Sequence, residues 1–196
     1  MKNLFTLVCV VLLISITSCS SSRSVQRIDP DKTIDLSGRW NDSDSRMVAE
    51  AMIKDCLSRP WHSDFKLANQ QKKPVVIIGL IKNRTHEHIN AETFVKDIEK
   101  EMINSGLIRV VQDVEFRESL RRERGEQQEF ASAETAKKWK EEIGADYMLT
   151  GTINAIVDQA GRQKIIAYQI DLELSNIETN EKIWLGDHKI KKHIKD

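Results

Sequence analysis

Thr17-Ser18-Cys19 is where the sequence most clearly prepares for chemistry. Lys2 gives a positive start, Leu4 to Ile16 is almost wholly apolar, and two small residues lead into the cysteine. That order reads as a secretory signal whose cleavage frees a cysteine for acylation. The apolar run of about 13 residues falls short of the roughly 20 that span a bilayer comfortably. Residues 1–18 are therefore expected to be a lipoprotein signal peptide, with Cys19 the lipidation site. The competing reading is an ordinary signal peptide, or a short anchor helix, with a chance cysteine. The Ser-rich stretch directly after Cys19 favours the tether. Ser20, where some systems read an Asp as a retention signal, suits sorting to the outer membrane.

The other candidates for chemistry are sparse. His86-Glu87-His88 is the densest group of potential metal ligands, and in an extended loop residues 86 and 88 point the same way. His62, His188 or His193 would have to complete such a site, because zinc needs three or four converging ligands. An exposed polar loop is the simpler expectation, with no metal. There is no Gly-x-Ser-x-Gly elbow, no Ser-x-x-Lys set and no phosphate loop, so nothing supports covalent hydrolysis or nucleotide chemistry. Glu141 and Glu142 are adjacent on an expected helix and diverge, so both read as solvated. Arg117, Arg121, Arg122 and Arg124 form a basic helical stripe interleaved with Glu115, Glu118 and Glu123. Mixed signs make an ion-paired surface its default reading. Lys189, Lys191, Lys192 and Lys195 fall on a terminal strand, where they either block edge pairing or form a partner-binding strip.

Composition narrows the function classes. The 196 residues carry 30 basic and 30 acidic side chains, and residues 1–18 contain only Lys2 of these. A processed chain would thus have a net charge of −1, which argues against a nucleic-acid binder. Membrane affinity would then have to come from the lipid, and two or more acyl chains hold stably where one does not. Of three cysteines, Cys9 leaves with the signal and Cys19 is acylated, so Cys56 is expected to be a lone buried thiol.

The elements that must position these residues begin after a tether. Residues 19–44 read as lipidated and flexible, and 45–196 as one globular α/β domain. Fully stretched, 25 tether residues reach roughly 80–90 Å, and as a coil about 25–30 Å. Leu36-Ser37-Gly38-Arg39-Trp40 is atypical of a linker, and Trp40 is expected to fold back.

A first helix starts at Ser43 or Asp44, buries Val48, Met52 and Cys56, and ends at Pro60. Val75–Ile81 suits a central strand covered on both faces. Asn90 caps a helix with Phe94, Ile98 and Met102 inward, stopped by Gly106. A short strand follows over Leu107–Val111. Asp113 caps a charged helix with Phe116 and Leu120 inward, broken over Gly125–Phe130, and Ser132 starts another that Gly144 ends. Three strands then run from Tyr147, with a turn over 159–162 and a second near Thr179-Asn180. The middle one alternates Ile166, Tyr168, Ile170, Leu172 and Leu174 against polar neighbours. The expected fold is α/β: a single mixed sheet ending in an antiparallel three-strand meander, with helices packed on it.

Several stretches together resemble one family. They are Leu36-Ser37-Gly38-Arg39-Trp40-Asn41-Asp42, Val76-Ile77-Ile78-Gly79 with Asn83-Arg84-Thr85, Ile103-Asn104-Ser105-Gly106, and Ile143 through Gly151. In that order they resemble the LpoB-type lipoprotein activators of class A penicillin-binding proteins, relatives of the TolB amino-terminal domain and the CsgG family. The resemblance spans about residues 36–190. It implies a TolB-like fold and an outer-membrane lipoprotein facing the periplasm. It further implies stimulation of a peptidoglycan synthase as protein partner, with no catalysis and no cofactor of its own. The loop bearing Arg84, His86 and His88 and the stripe bearing Arg117, Arg121 and Arg124 are the expected partner surface. The alternative it permits is an accessory lipoprotein of a CsgG-like secretion or assembly complex. Against a long-tethered family, a stretched reach of roughly 80–90 Å is short for meeting an inner-membrane enzyme.

Overall fold

The computed structural model describes residues 24–29, 32–130 and 142–195. One compact unit runs from Thr33 to Asp196, so it takes in residues 33–44, which the sequence assigned to the tether. Residues 24–29 lie in a separate unit and are exposed, without regular structure. The order of elements is α1 (Asp42–Ser58), α2 (Trp61–Ala68), β1 (Val75–Asn83), α3 (Ala91–Asn104), β2 (Arg109–Val111), α4 (Val114–Phe130), β3 (Tyr147–Ala160), β4 (Gln163–Asn176) and β5 (Lys182–Lys195).

The strands form one mixed sheet in the order β2-β1-β3-β4-β5. β1 runs parallel to β2 and β3, while β3, β4 and β5 pair as an antiparallel meander. This is the architecture the alternation pattern leads to. Ile166, Tyr168, Ile170, Leu172 and Leu174 are fully buried and meet Leu149 and Ile153 of β3. α1 lies on β5 and α3 on β1 and β2, and the two helices pack on each other. Phe94, Ile98 and Met102 fill the core from α3, and Val48, Ala49, Met52, Ile53 and Cys56 fill it from α1. Each such side chain contributes roughly 1.5–3 kcal/mol by leaving water.

The boundaries obey local chemistry, with several corrections. α1 starts at Asp42, not at Ser43 or Asp44, because Asn41 is the cap. The Asn41 side chain accepts from the Asp44 N–H at 3.1 Å, and the Asp44 carboxylate accepts from the Asn41 N–H at 2.9 Å. That reciprocal pair satisfies two donors the helix cannot. Pro60 ends α1 as expected and also opens α2, which the sequence did not suggest, because its fixed φ suits a first helical turn. β1 is not covered on both faces along its whole length: Val75, Val76, Ile78 and Ile81 are buried and Ile77 is half-buried. A register shift between Ile78 and Ile81 returns Ile81 to the core and leaves Leu80 67% exposed on the open face. Asn90 and Gly106 bound α3 as expected, the latter with φ +66°.

α4 departs furthest. It runs unbroken through Gly125 to Phe130, and Phe116 and Leu120 are half exposed instead of buried, Phe116 lining a groove beside Leu80 and Met148. None of its residues is buried. The helix expected from Ser132 lies outside the described residues.

Candidate functional site

β1 ends at Asn83, and the chain turns there through a polar loop to Asn90. Exposure alternates along it. Arg84, His86 and His88 face solvent, while Asn83, Thr85 and Glu87 turn inward. The inward set builds a small polar knot. The Asn83 side-chain Oδ1 accepts from the Thr85 N–H at 2.9 Å and the Thr85 hydroxyl at 2.8 Å, and the Asn83 Nδ2 donates to the Glu87 backbone carbonyl at 2.8 Å. The Glu87 carboxylate then reaches further, accepting from the Tyr168 hydroxyl at 2.7 Å and from the Trp40 N–H at 3.2 Å. Burial pushes the Tyr168 hydroxyl well above the ordinary tyrosine range, and the hydrogen bond to Glu87 adds to it. Tyr168 therefore stays protonated and remains a donor. The Trp40 ring stands edge-on to Tyr168 at 5.6 Å and to Phe94 at 6.1 Å, so the tryptophan does fold back. The result is a seated loop that holds Arg84, His86 and His88 outward.

The arginine stripe is built differently. Asp113 caps α4, accepting from the Phe116 N–H at 3.0 Å. Arg121 forks onto Glu142 through two bonds of 2.9 and 2.8 Å, and Arg124 adds a third at 2.9 Å. Glu142 is thus ion-paired, not merely solvated, and the Arg121 hydrogen bond leads in holding its carboxyl down to about 2. Arg121 is raised in turn by the same bond. Arg117 is half-buried against the Asp113 carbonyl at 3.4 Å. No described contact joins this stripe to the loop of Arg84, His86 and His88.

The lysines of β5 separate into two kinds. Lys189, Lys191 and Lys195 are exposed on the open face of an edge strand. Lys192 is not one of them: its side chain is 8% exposed and ion-paired to Asp44 and Asp35, each at 2.5 Å. It also donates to the Arg39 carbonyl at 3.0 Å. Burial works against its charge, but the two carboxylates outweigh that and raise its pKa. This clasp pins residues 35–44 to the last strand. The sequence offered no signal for it beyond the odd position of Lys192 on the inward side of an alternating strand.

The remaining candidates are structural. Cys56 is a fully buried free thiol, and desolvation pushes it up to about 12, so it is inert. Trp184 donates to the Asp55 carboxylate at 2.8 Å, and Trp61 to the Cys56 carbonyl at 2.8 Å, as core packing requires. The His62 ring sits 2.9 Å from the Leu57 carbonyl. Among the described residues no three His, Cys, Asp or Glu side chains converge as metal ligands. A cleft between α2 and the β4–β5 turn is lined by Trp61, Phe65, Asp146 and Tyr147 among others, and Asp146 there already accepts from the Val75 N–H at 2.8 Å. Such surfaces can bind and position; they hold no paired nucleophile and base. Cys19 lies outside the described residues.

Comparison with known proteins gives one family. The model described as peptidoglycan-synthase activator LpoB matches residues 44–190. Among solved structures, the LpoB C-terminal domain from Escherichia coli is 16% identical at a TM-score of 0.44, covering 78% of this chain and 99% of that one. The NMR structure of E. coli LpoB is 15% identical at 0.41, covering 92% and 85%. The LpoB C-terminal domain from Salmonella enterica is 17% identical at 0.40, covering 75% and 98%. No curated protein matches the sequence.

Proposed function

The chain belongs to the LpoB family of peptidoglycan-synthase activators, and on that premise we propose that it binds and stimulates a class A penicillin-binding protein from a lipid anchor on the periplasmic face of the outer membrane. The family match over residues 44–190 carries this reading, since it spans nearly all of the compact unit. The family is described as an activator of a synthase, which makes the chain a regulator and not an enzyme. Physically, an activator must bind the active synthase conformation more tightly than the inactive one. Equal affinity for both would shift nothing.

The anchor is Cys19 after removal of residues 1–18, and Ser20 suits outer-membrane sorting. With residues 33–44 counted in the compact unit, the free tether shortens to residues 19–32. Those reach about 45–50 Å when stretched, so the partner must come close to the anchoring membrane. The loop is the first surface we assign to the synthase. Arg84, His86 and His88 project together from a backbone already fixed by Asn83, Thr85 and Glu87. Arg117, Arg121 and Arg124 form a second surface, part of whose charge Glu142 offsets.

The test is glycan polymerisation by a class A synthase in the presence of the acylated chain. Stimulation is expected, and it should fall with the combined Arg84→Glu, His86→Glu and His88→Glu changes while the melting temperature holds. No stimulation by the unaltered chain overturns the function. Stimulation indifferent to the loop changes overturns the surface.

A further inference from the structure

We propose that one end of the domain, formed by the β3–β4 hairpin tip and the last residues of β5, docks on the anionic phospholipid headgroups of the membrane that carries the anchor. This rests on the lipid-anchor reading above.

The first observation is where the charge collects. β3 and β4 outrun β1, which ends at Asn83 opposite Ile153, so residues 156–165 project as a hairpin that, among the described strands, pairs further only with β5. Arg162 and Lys164 lie in this tip, and Lys164 pairs in register with Ile194. Lys191, His193 and Lys195 lie at the same end on the open face of β5, the face opposite to the one Lys164 shares with Ile194. Lys189 follows on that face, 3.7 Å from Asp187. Among the described residues of the tip and the strand end after Asp187, the acidic side chain is Asp158. The lysines of β5 alone are what an edge strand uses to refuse pairing. That account does not extend to Arg162 and Lys164, which lie on the hairpin tip. Nor does it explain Ile156 and Val157, which stay 75% and 47% exposed at the same end. Basic residues beside exposed aliphatic ones match a headgroup boundary, where cations meet phosphate and apolar groups meet the acyl region.

The second observation is where the chain enters. Asp35 is tied to Lys192, and a side chain at Gly38 would run into Ile194. Lys192 and Ile194 pair with Ile166 and Lys164, so the chain upstream leaves the domain from the basic end. A coil of about 14 residues averages about 20 Å. A tether of that size keeps this end at high effective concentration near its own membrane. Attraction from the anionic surface then acts within about 8 Å, one screening length.

The experiment uses the acylated full chain on vesicles of phosphatidylcholine alone or enriched in phosphatidylglycerol, with a headgroup quencher. A fluorophore is carried at Ala160→Cys in the tip or at Glu178→Cys in the β4–β5 turn; Cys56 is buried and does not compete. The tip label should be quenched about threefold more on the anionic vesicles, with the turn label unchanged. Adding Arg162→Glu, Lys191→Glu and Lys195→Glu should abolish the difference. Equal quenching on both lipids overturns the proposal, as does a response that survives the charge reversals. A lipid-independent tip whose reversed variant loses synthase stimulation also overturns it, and reassigns the patch to a protein partner. A chain that fails to float with neutral vesicles removes the anchor reading, and this proposal with it. A chain that floats without a tip response removes the proposal alone.

Discussion

α3 and α4 carry the same signal in sequence and have opposite fates. Phe94, Ile98 and Met102 recur every four residues on α3, and Phe116 and Leu120 do so on α4. The first set is fully buried, while Phe116 and Leu120 are 50% and 49% exposed. The difference is what each helix can lie against. α3 meets β1, β2 and α1, whereas α4 follows the three-residue strand β2 at the rim. Its described ties there are the Asp113 cap, Lys96 standing 5.2 Å from the Phe116 ring and the Glu142 ion pairs. Apolar spacing names the face that could be buried; only topology supplies the surface that buries it.

The sharpest break of this comparison is truncation. Phe94→Ala should cost about 3–5 kcal/mol in urea unfolding, because it opens a cavity in a packed core. Phe116→Ala should cost well under about 1 kcal/mol. Equal losses would mean that α4 is covered in solution. The ion pairs pose the same contrast. Lys192→Met leaves the buried Asp44 unpaired and should cost roughly 3 kcal/mol or more. Glu142→Gln should leave the midpoint of global unfolding in place and increase amide exchange along α4 only.

Acid sharpens it further. The hydrogen bond from Lys192 leads in lowering the Asp35 pKa, and that from Trp184 leads for Asp55. Groups depressed in the folded state contribute stability above the unfolded carboxyl pKa, and that stability is lost as pH falls through the folded value. Urea midpoints should therefore drop below about pH 4, and Asp35→Asn with Asp55→Asn should flatten the fall. The raised Lys192 pKa works at the other extreme. Its contribution is full below the lysine's unfolded pKa and fades as pH rises through the folded one. The smallest contrast is in the caps: Asn90→Ala should cost about 1 kcal/mol globally. Asp113→Ala should instead fray the start of α4, visible by exchange and not by the midpoint.

Much of the fold was legible because it depends on local pattern. The β4 alternation, the Asn90 cap, the Gly106 stop and the hairpin register each follow from residues within a few positions of one another. What failed was non-local. The bulge that turns Leu80 outward depends on the register with β3, and the half-exposure of Phe116 depends on the place of α4 at the rim of the sheet. That His86 and His88 point the same way from an exposed loop was readable from their spacing. The role of Glu87 was not, because its partners Trp40 and Tyr168 lie 47 and 81 residues away.

Those long spans bear on the order in which the domain can be completed. A chain emerging from the amino terminus presents Asp35 and Trp40 early, but their partners Lys192 and Tyr168 come 157 and 128 positions later. The entry segment therefore waits on the final strand and the loop of Arg84 on β4, and such late closure of distant pairs slows folding. Until β4 arrives the loop stays unset, and until β5 arrives the segment around Asp35 stays slack. A shortened or stalled chain would not present the finished surface.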